Sequence, residues 1–261
     1  MCIVAMGYCS SANLIAASTA FAQADSVHIE CNASDFVRRN REAIFEAANH
    51  HAVSAVAVAG VIAAESILNR NVIDSLQDKW LSKQLEEHDQ GWWEQWKDTS
   101  ESAAAQAGPL RLIGNKWPTA LVMSGYVMSF GPGQIQPRTA ILACRRYAFS
   151  EPLCQKSTKE LIAALLSEES SIRLVAVILR YEADIWLTHT KSDVKRNAAL
   201  LATLYSAGAE YRIAALESKN VSELNKMGHW LAKYHAAIES LLTNVMPGDG
   251  RWCIILHNTL I

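Results

Sequence analysis

Between Ala52 and Asn69 the chain carries a single ionisable side chain, Glu65, within the run AVSAVAVAGVIAAESILNR that ends at Arg70. The rest of the run is small, apolar or neutral. Such a segment is stable in water only when it is buried, and its length and composition suit a helix inside a core. Placing one carboxylate there costs on the order of several kcal/mol unless the group is paired or neutralised. Glu65 is therefore a candidate for a carboxyl group that keeps its proton near neutral pH, the state a general acid requires. The competing reading is a glutamate near a helix end that reaches solvent or pairs with Arg70.

The 261 residues are half hydrophobic and about a fifth charged, which fits a globular chain of one large or two small domains. A net charge of −2 gives no nucleic-acid footprint. No run is apolar and uncharged over the roughly 18 residues a spanning helix needs, so a soluble protein with no transmembrane segment is expected. Asn13–Ala24 resembles the h-region of a signal peptide ending in Ala22-Gln23-Ala24, but residues 1–12 lack Lys and Arg. A secreted or periplasmic site of action is expected, with cleavage of this arm left open. There are six cysteines and no C-x-x-C, and no histidine stands at zinc spacing from a cysteine pair. No metal and no other cofactor is expected. Cys144 and Cys154 enclose a short loop and suit either a disulfide or two buried thiols.

Along the chain, residues 1–31 read as an arm, and Asn32 with Asp35 suggests a capping box. Phe36, Ile44, Phe45 and Ala48 then share one stripe of an amphipathic helix. His50-His51 closes that helix as ordinary terminal residues, because adjacent side chains on a helix point about 100° apart. Residues 72–118 read as an insertion: a polar surface helix or helical hairpin carrying Trp80, Trp92, Trp93 and Trp96, then a flexible or loosely helical connector over 98–107. Such tryptophans serve either as sugar-stacking platforms or as anchors to a core. Gly131-Pro-Gly133 forbids a helix, so a short strand over Tyr126–Phe130 and a tight turn should deliver Gln134 and Gln136. Helices follow over Ala140–Ala148, Thr158–Ser167, Ser171–Trp186, Asn197–Ala207, Glu210–Leu216 and Leu224–Asn244. Gly208 is a natural stop, and Trp252–Ile261 reads as an apolar tail. The economical fold is mainly α, one domain over 32–261 with a short β-hairpin or turn region and a helical insertion.

Four segments, in order, carry a resemblance. Glu65-Ser66 ends a buried helix. Gly131-Pro-Gly-Gln134-Ile-Gln-Pro-Arg-Thr139-Ala140 resembles the GLMQI-x-P-x-T-A segment of lytic transglycosylases and goose-type lysozymes. Ser171-Ile172-Arg173, leading to Val177–Arg180, is similar to their NI-x-x-G-x-x-Y-L helix. Asn197–Gly208, with Tyr205-Ser206-Ala207-Gly208, resembles their A-A-Y-N-A-G, followed by Tyr211-Arg212-Ile213. Pro132-Gly133 replaces Leu-Met, Ser206 replaces asparagine, and the gap from Glu65 to Gln134 is longer than in that family.

The resemblance implies a lysozyme-like body and cleavage of the β-1,4 bond between N-acetylmuramic acid and N-acetylglucosamine in peptidoglycan. Glu65 would be the general acid and base, and Ser66, Gln134, Tyr205 and Ser206 would bind substrate or orient the acid. Many glycosidases use a second carboxylate. Asp74 and Asp78 lie nearest in sequence, but both read more simply as solvated helix carboxylates. A lone glutamate suits the lytic route, in which it protonates the leaving oxygen and then takes a proton from the muramic 6-hydroxyl. Partners are peptidoglycan strands and, if the enzyme is an antibacterial effector delivered by a secretion system, a neutralising immunity protein. The alternatives are a non-catalytic glycan-binding or structural protein, and an all-α interaction protein whose Glu65 is merely buried.

Overall fold

The computed structural model describes residues 32–69, 72–107, 124–217 and 223–243. The described residues are mainly helical. A first helix, α1, spans 32–39 and breaks at Asn40 before α2, Arg41–His51, so the single amphipathic helix expected here is two. Ala52 then adopts a left-handed conformation (φ 53°), and Val53 N–H donates to the Ala48 carbonyl to close the helix. Helix α3, Ala55–Ala64, starts under a Ser54 cap whose Oγ accepts from Ala57 N–H at 3.3 Å. Every residue of α3 from Ala57 onward is buried, as its composition demands. The helix then widens into a π-turn, Glu65–Asn69.

Helices α4, Val72–Glu87, and α5, Gln90–Ala107, follow. Residues 98–107, expected as a flexible or loosely helical connector, take the helical form and continue α5: three successive alanines favour it, and Ser100 and Ala104 are buried one turn apart. Next come α6 (Pro137–Tyr147), a short 3-10 turn (Pro152–Gln155), α7 (Thr158–Ala164) and the long α8 (Glu168–Thr190). The chain finishes with α9 (Ala198–Ala207), α10 (Ala209–Glu217) and α11 (Lys226–Thr243).

The core is a packing of α3, α8, α9 and α11, with α2 and α6 laid against α8. Glycine allows two close approaches within it. A Cβ on Gly60 of α3 would lie 2.2 Å from Leu231 of α11, and one on Gly228 of α11 would lie 2.0 Å from Thr203 of α9. The inserted helices join this body. Leu81 and Trp93 are fully buried, Trp80 stacks on Phe130, and Trp96 meets Tyr126 edge-on. Tryptophan here anchors a polar helix, and its Trp96 Nε1–H donates to the Ser124 carbonyl at 2.7 Å.

The expected strand over Tyr126–Phe130 is instead a turn. Among the described residues pairing is confined to an isolated bridge between Phe130 and Ile135. Gly-Pro-Gly reverses the chain so sharply that one residue on each side pairs before Pro137 opens α6. A disulfide joins Cys144 of α6 to Cys154 of the 3-10 turn. No single helix among the described residues is long and apolar enough to cross a membrane. The arm over 1–31, residues 108–118 of the insertion and the tail from Trp252 lie outside the described residues.

Candidate functional site

A cleft of about 1040 Å³ opens where the π-turn, the 124–136 loop, α8, α9 and α10 converge. Glu65, Gln134, Tyr205 and Ser206 all line it, although they come from three separated segments. Glu65 is 6 % exposed, at the junction where the buried α3 helix opens into the π-turn. Single π-turns inside helical runs are frequent at functional sites, because the extra residue redirects a side chain. Burial first, and then the charge of Glu65, pushes the Tyr205 phenol well above its ordinary value. Tyr205 Oη donates to the Gly133 carbonyl at 2.7 Å, which ties α9 to the loop.

The loop itself is held from several sides. Gly131 sits at φ 67°, and a Cβ there would fall 1.8 Å from the Leu165 carbonyl, so only glycine fits. Its N–H donates to Asp78 Oδ1 at 2.8 Å, and Gly133 N–H donates to Ser171 Oγ at 3.2 Å. A Cβ at Gly133 would also lie 2.7 Å from Val175. Gln134 takes a left-handed conformation at φ 49°, uncommon without glycine, and its Nε2 donates back to the Gly131 carbonyl at 3.1 Å. A backbone constrained this way fixes where the Gln134 side chain stands.

Ser66 departs from expectation, since the residues lining the cleft do not include it. It is half-buried beside Glu65 in the π-turn. Asp74 and Asp78 depart too, as neither is a solvated helix carboxylate. Asp74 is 6 % exposed and lines the cleft, while Asp78 holds the Gly131 amide. Arg70, the alternative partner of Glu65, lies outside the described residues.

Glu182, which no motif in the sequence singles out, is a further buried carboxylate lining the same cleft. Burial pushes it up to about 7, with the Ala209 N–H opposing and nearby Glu210 reinforcing. The Ala209 amide donates to Glu182 Oε2 at 2.5 Å, joining α8 to the start of α10. The available signal was position: Leu174, Ile178, Glu182 and Trp186 form one i, i+4 row on α8, and Glu182 is its only charge. Four carboxyl groups therefore line the cleft, Glu65, Asp74, Glu182 and Glu210, and the first three are buried.

Outside the cleft lining, His50 and His51 converge on Glu151, contrary to their reading as ordinary terminal residues. His51 Nε2 lies 3.0 Å and His50 Nε2 3.8 Å from Glu151 Oε2. The 100° between adjacent side chains is bridged because Glu151 reaches between them from the disulfide-closed loop. Glu151 Oε1 instead accepts from Leu153 N–H at 3.0 Å and from Arg173 at 2.8 Å. Burial raises the Glu151 carboxyl, but the Leu153 amide, His51 and Arg173 outweigh it and hold the group below its usual range. Burial likewise lowers His51.

Compared with known proteins, the chain matches no family, no curated protein and no solved structure.

Proposed function

We propose that this protein cleaves glycan strands of peptidoglycan at the β-1,4 bond between N-acetylmuramic acid and N-acetylglucosamine, with Glu65 as general acid and base. The observation that supports this reading is the convergence of Glu65, Gln134, Tyr205 and Ser206 on one cleft from three separate motifs. The cleft is at the upper end of the roughly 300–1000 Å³ typical of ligand sites. A glycosidic oxygen must be protonated as its bond breaks, and Glu65, buried on the wall of the cleft, is the carboxyl we assign to that step. Gln134 and Ser206 supply amide and hydroxyl groups suited to N-acetyl substituents, and Tyr205 orients the acid. In the lytic route the resulting carboxylate accepts the proton of the muramic 6-hydroxyl as that oxygen attacks C1. Hydrolysis needs a water placed there instead.

Glu65→Gln should abolish lysis of purified sacculi, with circular dichroism and melting unchanged. Full lysis by that variant, or its loss in Glu182→Gln alone, would move the acid to Glu182 or overturn the reading. Mass spectrometry of the released muropeptides separates anhydro from reducing ends, and sugar binding without any products would favour a non-catalytic glycan binder. Within this reading the site of action is the periplasm, and a secretion-delivered antibacterial effector would require a neutralising partner in its producer. Growth arrest only when the chain is directed to the periplasm is the expected result.

A further inference from the structure

We propose that His50, His51 and Glu151 form a binding site for a zinc-class divalent cation that staples the end of α2 to the disulfide-closed loop. The ligand set is two imidazoles and one carboxylate, the mixed nitrogen and oxygen donors that zinc accepts. The three donor atoms lie within 4.8 Å of one another. A tetrahedral ion with bonds of about 2.0–2.1 Å sets its ligands about 3.3–3.4 Å apart. The two nitrogen-to-Oε2 distances, 3.0 and 3.8 Å, bracket that spacing, and the half-exposed His50 ring is the ligand able to turn to complete the geometry.

The surroundings divide the labour of the carboxylate. Oε1 is fixed by the Leu153 amide and Arg173, which leaves Oε2 as a single oriented ligand atom. Outer partners that fix one oxygen and present the other are the usual support of a metal-bound carboxylate. The backbone of His51 is held as well, its carbonyl accepting from Arg180 at 3.3 Å. Glu151 and His51 are buried, whereas the His50 side chain is 46 % exposed, which gives an ion an entry path and a solvent position for a fourth ligand. His50 Nε2 lies 2.8 Å from the Ser150 carbonyl, so a bound ion displaces that contact and the imidazole then carries its proton on Nδ1.

The test uses the full chain freed of metal by chelator and dialysis, titrated with Zn2+ by calorimetry and with Co2+ by visible absorption. One ion per chain is expected, with the intense visible bands of tetrahedral cobalt and a Tm raised by a few degrees at excess Zn2+. His50→Ala, a change at the exposed ligand that should leave the fold intact, is expected to weaken binding by about a hundredfold or more, since even outer-partner losses at metal sites cost about 10–100-fold. It should also erase the Tm rise. No saturable binding by the unaltered protein, or equal binding by His50→Ala, would overturn the assignment.

Discussion

Glu182 is held by a neutral partner in a buried place, and that combination sets its chemistry. Glutamate in the unfolded chain loses its proton near 4.5, whereas the folded group retains it up to about 7. Between those values the folded state binds more protons than the unfolded, so this group's contribution to stability falls as pH rises, by about 3 kcal/mol across the window. Glutamine keeps an acceptor for the Ala209 amide and cannot ionise. Glu182→Gln should therefore match the parent near pH 4 and exceed it by up to about 3 kcal/mol at pH 8, read from denaturant melts at both values. An offset that does not change with pH would show that Glu182 does not titrate in this range. Glu65 stood out in the sequence because its neighbours along the chain are apolar. Glu182 did not, because the apolar residues around it are four apart and the intervening positions include Arg180, Tyr181 and Asp184.

The helices were legible because α3 and α9 are apolar nearly throughout, as a buried helix must be, while α8 repeats its apolar residues at helical spacing. Connections were harder, since their shape depends on what they meet. The Gly131–Gly133 turn is shaped by the Leu165 carbonyl and by Asp78 and Ser171, contacts 34 to 53 positions away that no local pattern displays. Convergence of the histidines on Glu151 is equally non-local, 100 positions apart. The disulfide between Cys144 and Cys154 spans a sequence separation of 10 and holds α6 to the loop that carries Glu151. Replacing both cysteines by alanine should cost about 2–3 kcal/mol, on the chain-entropy account of so short a ring. A Tm lowered in the oxidised protein but equal to the parent's after reduction would assign the loss to the bond itself.

At the scale of the molecule, the inserted pair α4–α5 behaves as part of the body. Trp93 is 1 % exposed, and Trp92, Trp93, Trp96 and Tyr126 form a chain of edge-on rings from α5 to the loop. Trp93→Ala should lower stability by about 3–5 kcal/mol while unfolding remains one transition by both fluorescence and circular dichroism. Two separated transitions would mean that α4–α5 melts alone. Composition made this pair look peripheral, because its charges are many and its buried residues few.

Helix α7 connects that pair to the cleft. Its first turn is gripped by α5: Glu94 accepts from Thr158 N–H and Oγ1–H, and Gln90 accepts from Lys159 N–H. Just past its last residue, the Leu165 carbonyl bears against Gly131, three residues before Gln134. The short helix is thus a push-rod between a polar surface and a strained turn. Disturbing its grip on α5 would retune the cleft-lining Gln134 from a distance, with every cleft residue left as it was.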